Sequence, residues 1–217
     1  MSDSTRICVV RHGETDWNIT GILQGWLDVE LNDRGREQAL EMAATFATWG
    51  FKRVYSSPLR RSLETAEIIA DRLRLPPPTA HAGLKERNFG DIQGIPKAEL
   101  ADLNPLLSQQ ILKRNPAASF AEGEEMDEFA TRVLNAILDI AANNRGERVL
   151  VITHGWTMDV VTREVSGLPR SAILHHKPKN GECVWLEATR ASIRPLPGEE
   201  SAQQVQLVQA LRIDRHD

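Results

Sequence analysis

Three apolar runs in this chain end in residues equipped for chemistry. "RICVV" (6–10) leads into Arg11, His12 and Gly13; "FKRVYS" (51–56) leads into "SPLRR"; "RVLVIT" (148–153) leads into His154 and Gly155. An arginine fork can hold two phosphate oxygens at once. An imidazole offers a nucleophilic nitrogen or a hydrogen bond, and a glycine lets backbone N–H groups come close. Each residue alone has an ordinary reading. Arg60 fits a solvated helix arginine, His154 a histidine at a core edge, and Arg11 a solvated strand end. Three strand ends carrying the same kind of group point instead to one anion site built from Arg11, His12, Arg60 and His154, with phosphate as its natural guest.

The elements around these residues explain how they would meet. Continuous Val/Ile/Leu runs read as buried parallel strands. Helical patterns lie between them. One runs from Asp33 to Trp49, with Asn32 as N-cap, Gly50 as stop, and Ala39, Leu40, Ala43, Ala44 and Ala47 as its apolar positions. A second starts at Pro58 after Ser57 as N-cap, with Leu59, Leu63, Ala66, Ala70 and Leu73. A third follows Glu125, with Met126, Phe129, Ala130, Val133, Ile137, Ile140 and Ala141. A fourth spans about Thr157 to Val165 and ends near Gly167 and Pro169. This alternation predicts an α/β fold of three layers, αβα, with a mostly parallel sheet and helices on both faces. Such sheets bind ligands outside the carboxyl ends of their strands. Arg60 is expected in a first helical turn, where free N–H groups and the helix dipole also favour an anion. Residues 95–124 carry Pro96, Pro105 and Pro116 and read as a small helical cap inserted in a single domain spanning 1–217. "RPLPGEESAQQ" (194–204) reads as a mobile loop between "CVWLEA" and "VQLVQALRI", two late strands.

Composition narrows the function classes. With 217 residues, 41% hydrophobic, the chain can bury a sizeable core. Its formal net charge of −4, from 26 Lys+Arg and 30 Asp+Glu, disfavours nucleic acid or an anionic membrane as main partner. In "LRRSLETAEIIADRLR", acids alternate with arginines, the pattern of a solvated helix face. Cys8 and Cys183 read as reduced thiols of a cytoplasmic protein. The start "MSDSTRICVV" lacks a signal-peptide layout, and no apolar run is long enough to span a membrane. No metal-binding motif is present, and His175-His176 reads as a loop feature.

"RHGETDWN", "LQGWLDVELNDRGREQA", "SSPLRRSLETAEIIA", "GLKERNFGDIQG" and "VITHG" stand in an order that resembles the histidine phosphatase superfamily, from Ile7 to about Pro169. That superfamily includes cofactor-dependent phosphoglycerate mutases and many small phosphatases. The resemblance implies that His12 is the nucleophile that becomes a phosphohistidine. It implies that Arg11, Arg60 and His154 hold the phosphoryl oxygens, with Asn18, Gln24 and Gly155 also around the phosphate. Glu86 matches the proton donor to the leaving oxygen. A loop carboxylate paired with Lys85 or Arg87 is its plain alternative. The implied substrate is a small phosphorylated metabolite, handled without a metal.

Two activities stay open. Lys97, Lys113 and Arg114 are candidates for binding a second anionic end, as a mutase primed by 2,3-bisphosphoglycerate would require. Against this, residues 95–124 are short for a mutase insertion and Phe89 stands where mutases usually have tyrosine. Hydrolysis of a small phosphomonoester, with no cofactor, is the favoured reading. A non-catalytic phospho-ligand binder is the remote one, since His12, His154 and Glu86 are all present. The helix after "THG" departs from the family pattern with Trp156 and Asp159. The sheet edge or the cap could support a homodimer.

Overall fold

The computed structural model describes residues 3–196 except His175. The strands that end at the chemistry-bearing residues are β1 (Thr5–Arg11), β2 (Arg53–Ser56) and β4 (Arg148–Thr153). They lie side by side in parallel, in a described sheet of order β3-β2-β4-β1-β5-β6. The short strand β3 (Thr79–Ala80) extends the parallel part, while β5 (Cys183–Ala188) and β6 (Ile193–Pro195) add antiparallel strands at the other side. The sheet is thus mostly parallel, with an antiparallel edge. "CVWLEA" forms β5 as the sequence predicts. Arg194 and Pro195, in β6, are strand where a loop was expected, and residues 197–204 of that loop and "VQLVQALRI" lie outside the described residues.

Register decides what the rim carries. Arg11 pairs with Thr153, so the next residues, His12 and His154, leave neighbouring parallel strands at one level. Their rings stand 5.2 Å apart, edge to face.

Helices cover both faces. On one side, α6 (Met126–Asn143) and α7 (Gly155–Val165) pack with Ile7, Val9, Val149 and Val151. All seven predicted apolar positions of α6 are buried. On the other side, α2 (Asp33–Phe46) and α3 (Arg60–Arg72) pack with Cys8, Val10, Leu150 and Ile152. The buried face of α2 includes Ala39, Met42, Ala43 and Phe46, whereas Leu40, Ala44 and Ala47 face outward. Asn32 caps α2, accepting from the Gly35 N–H at 2.8 Å. Helix α3 opens later than expected. Ser57 Oγ accepts from the Leu59 N–H at 3.2 Å and holds Pro58 in the preceding turn, so Leu59 becomes the N-cap. Helix α7 opens earlier, at Gly155 directly after β4. A short helix α1 (Asp16–Ile19) follows the β1 loop, and residues 95–124 contain α4 (Lys97–Leu103) and α5 (Pro105–Leu112).

The loop after β1 rests directly on the first turn of α2. A Cβ on Gly35 would stand 2.1 Å from the Glu14 carbonyl oxygen, and one on Gly13 would stand 2.5 Å from the Gly35 carbonyl oxygen. Two backbones therefore touch where any side chain would separate them. In an unhindered helix, Gly→Ala gains about 1 kcal/mol. Here Gly35→Ala should instead destabilise by about 2–3 kcal/mol through overpacking. Thermal melting should show a Tm lowered by about 5–10 °C; an increase would mean that the backbone contact is dispensable.

Candidate active site

His12 is buried, and its two ring nitrogens have different surroundings. Nδ1 lies 2.6 Å from the Gly13 carbonyl oxygen, which can only accept. Nδ1 therefore carries the proton, and Nε2 keeps its lone pair. Arg61 Nε points at that lone pair from 3.3 Å, while its other nitrogens donate to the Leu27 and Gly25 carbonyls at 3.0 and 2.8 Å. Burial and the neighbouring Arg61 and Arg11 hold the His12 ring well below its ordinary pKa, so it is neutral at neutral pH. A neutral ring whose lone pair accepts from a guanidinium is an arrangement able to attack an anion that the guanidinium holds.

The guanidinium beside His12 belongs to Arg61, not to Arg60. Arg60 is exposed, its N–H donating to Asp28 at 2.7 Å and its side chain 3.8 Å from Glu30. Because α3 begins at Arg60, the next residue is rotated by about 100° and turns inward. Arg61 shares its buried face with Ser62, Thr65 and Ile69. Spacing of four residues through Thr65 to Ile69 was the signal that could have found it. Ser62 Oγ donates to the Ile152 carbonyl at 2.8 Å, and Thr65 Oγ1 accepts from the Gly13 N–H at 3.1 Å. These bonds fix α3, and with it Arg61, to the rim that carries His12.

Arg11 lines the cleft from β1. Its Nη1 donates to the Pro178 carbonyl at 2.7 Å, and its Nε is buried without a partner among the described residues. Two further bonds tie this strand end to the segment before β5: the Gly181 N–H to the Arg11 carbonyl at 3.0 Å, and Asn180 Nδ2 to the His12 carbonyl at 2.7 Å. Burial lowers the Arg11 and Arg61 guanidinium pKa values to about 10, which leaves both charged at neutral pH. His154 is fully buried behind His12, set back from the cleft wall, and neither ring nitrogen has a partner among the described residues. Burial, with Arg61 next, holds it neutral as well.

Glu86 also lines the cleft. Its Oε1 accepts the Arg87 N–H at 3.0 Å and its Oε2 the Trp156 N–H at 3.3 Å. It is paired with backbone rather than with the Lys85 or Arg87 side chains. Burial raises its pKa, which favours a carboxyl able to give a proton. The sequence offered no sign of what holds it. Trp26 Nε1 and Arg132 Nη2 donate to the Glu86 carbonyl at 2.7 and 3.2 Å, and Arg132 also binds Glu124 at 2.7 Å.

His12, Arg11, Arg61 and Glu86 share a cleft of about 130 Å³ with Asn18, Gln24, Phe89 and Trp156. Asn18 Oδ1 accepts the Thr15 N–H at 3.1 Å in a reciprocal cap of α1, which orients its amide. Gln24 Nε2 donates to Thr15 Oγ1 at 3.0 Å. Lys97 and Arg114 also line the cleft, joined by Lys177, which sequence reasoning missed because no pattern marks a loop lysine. Lys113 is exposed at the C-terminus of α5 and does not line it. Gly155 is set back, at the start of α7.

Residues 7–196 match the family model described as histidine phosphatase superfamily (branch 1). The chain belongs to that superfamily. It is 38% identical over 155 residues to Phosphoglycerate mutase-like protein 4 of Arabidopsis thaliana, covering 70% of this chain and 67% of that one. It is 36% identical over 162 residues to the Metal-independent phosphoserine phosphatase of the same plant, covering 74% and 68%. Among solved structures, Bacillus stearothermophilus YhfR superposes with a TM-score of 0.81 at 27% identity, over 88% of this chain and 95% of that one. The protein is thus an enzyme of the phosphatase and mutase type. Among the described residues, no helix is long and apolar enough to cross a membrane.

For a histidine phosphatase so arranged, adjacent arginines should behave very differently. Arg61→Ala should lower kcat by about 10²-fold or more through lost charge stabilisation. Arg60→Ala should leave kcat/KM within about twofold, as expected of a solvated surface position. Steady-state kinetics on one phosphomonoester would separate them, and equal losses would refute the assignment of Arg61.

Proposed function

We propose that the protein hydrolyses small phosphomonoesters through a phosphohistidine on His12. The single observation that carries this reading is the state of the His12 ring, with its proton held on Nδ1 by the Gly13 carbonyl and Nε2 aimed at Arg61. In the first half-reaction, the Nε2 lone pair attacks phosphorus in line and the bond to the alcohol oxygen breaks. Glu86 gives its proton to that oxygen. In the second, Glu86, now a carboxylate, takes a proton from water as the water oxygen attacks phosphorus. The P–N bond breaks, inorganic phosphate leaves, and Nδ1 keeps its proton throughout. Arg11 and Arg61, which line the cleft, stabilise the charge on the equatorial oxygens, the dominant catalytic contribution in phosphoryl transfer. With that charge supplied by guanidinium groups, no metal or other cofactor enters either step. Water access supports hydrolysis: Leu112 and Lys177 on the cleft wall are exposed.

A mutase reading has one specific observation in its favour. Lys97, Arg114 and Lys177 line the cleft beyond what one phosphate needs. Product analysis with 3-phosphoglycerate, primed by a trace of 2,3-bisphosphoglycerate, decides between them. Hydrolysis predicts inorganic phosphate with little 2-phosphoglycerate. Formation of 2-phosphoglycerate much faster than phosphate release would make the enzyme a mutase.

Glu86 acts in both halves, but p-nitrophenolate leaves without a proton. Glu86→Gln should therefore release a burst of p-nitrophenolate close to one per enzyme, followed by turnover slowed about 10²-fold or more. Linear, near-normal turnover would remove Glu86 from the second step.

A further inference from the structure

Arg114 occupies a backbone position made for another residue. It follows the C-cap Lys113 of α5 with φ of 49°. Its N–H bonds the Ile111 carbonyl at 2.9 Å, and the Asn115 N–H bonds the Gln110 carbonyl at 2.8 Å. This pair of bonds closes a helix in the turn where glycine is the usual left-handed residue. A side chain there is strained. What it does for the fold is modest, but its placement is specific. The guanidinium lies 5.2 Å from the centre of the Trp156 ring and over Gly155, where a Cβ would stand 2.9 Å from Nη1 and 3.0 Å from Nη2.

One side chain holds it there. Arg114 Nε donates to Asp159 Oδ2 at 2.5 Å, and Asp159, on α7, is fully buried. Asp159 touches neither His12 nor Glu86, so the phosphoryl chemistry leaves it unused. Arg114 Nη2 is buried and has no partner among the described residues. Among the charged groups lining the cleft, Lys97, Lys177 and Arg11 repel the guanidinium, while Glu86 attracts it without a hydrogen bond among the described residues, each of its oxygens accepting a backbone N–H. Cations gathered on one wall, beyond those beside His12, suit a ligand with a second negative group.

We infer that Asp159 is a positioning residue for substrate recognition, fixing Arg114 over Gly155 so that Arg114 binds a carboxylate or other second anion of the phosphomonoester. This rests on the hydrolytic reading of the same cleft. It gives Asp159 no part in the chemical step. Gly155 acquires a role distinct from phosphate binding, because it leaves the space in which the guanidinium lies.

The test uses p-nitrophenyl phosphate as reporter substrate and two competing ligands that differ only in the carboxylate, 3-phosphoglycerate and glycerol 3-phosphate. The wild type should bind 3-phosphoglycerate at least about tenfold more tightly, as a charge-assisted hydrogen bond provides. Asp159→Asn should abolish most of that preference. It should leave the inhibition constant of glycerol 3-phosphate within about twofold and kcat for the reporter within about threefold. The double variant Arg114→Met/Asp159→Asn removes both members of the ion pair and should show the same loss, which keeps the test usable if the single variant fails to fold. A preference lost only in the double variant would show that Arg114 needs no help from Asp159 and would overturn the inference. So would equal weakening of both ligands, or a wild type without preference. If the wild type does not hydrolyse the reporter, the hydrolytic reading fails, and calorimetric titration of the two ligands still measures the preference.

Discussion

The site depends on a contact between a carbonyl and a ring. By accepting from His12 Nδ1, the Gly13 oxygen fixes the tautomer and leaves Nε2 as the only nitrogen able to attack. This works only because the ring is neutral. Burial beside two guanidinium groups ensures that, since a third positive charge there would be repelled and poorly solvated. The same arginines therefore keep the His12 ring unprotonated and, in the proposed reaction, attract the group it attacks. Their own burial is tolerated because backbone carbonyls of Gly25, Leu27 and Pro178 accept their N–H groups.

Much of the scaffold follows from making that contact possible. Parallel pairing in register sends His12 and His154 from adjacent strands at one level. Glycine against glycine lets the β1 loop settle on α2, and hydroxyl bonds from Ser62 and Thr65 seat α3 on the sheet rim. Glu86 is carried on a loop rather than a strand. Its place is set by side chains from two other segments, Trp26 and Arg132, which bind its carbonyl and not its carboxyl. The carboxyl remains available for proton transfer.

How much of this could be read in the sequence varied with the kind of signal. The α6 stripe was legible because large apolar residues alternate clearly with polar ones. In α2 the alanines misled, since alanine is accepted on either face; Met42 and Phe46 mark the true one. That His12 and Glu86 share one cleft was legible through motif resemblance, and the strand-end position of His12 through physical reasoning. Sequence alone points to Arg60 where the structure has Arg61, and to Lys113 beside Arg114, for one reason: adjacent residues look equivalent until a helix boundary is known to the residue. In both pairs the second residue turns into the cleft. Lys177 and the supports of Glu86 come from contacts distant in sequence, which no local pattern encodes.

Pro178 accepts from the Arg11 guanidinium, and Asn180 and Gly181 donate to the His12 and Arg11 backbone carbonyls, while Lys177 beside them lines the cleft. Specificity and reactivity are therefore mechanically coupled on that side of the cleft, because lengthening or reshaping the segment would shift the nucleophile. On the α4–α5 side, the described contacts include no such bond to His12. Divergence toward new substrates, whether natural or by directed evolution, has its freer path there, through insertions and substitutions that reshape the pocket and leave the reacting nitrogen in place.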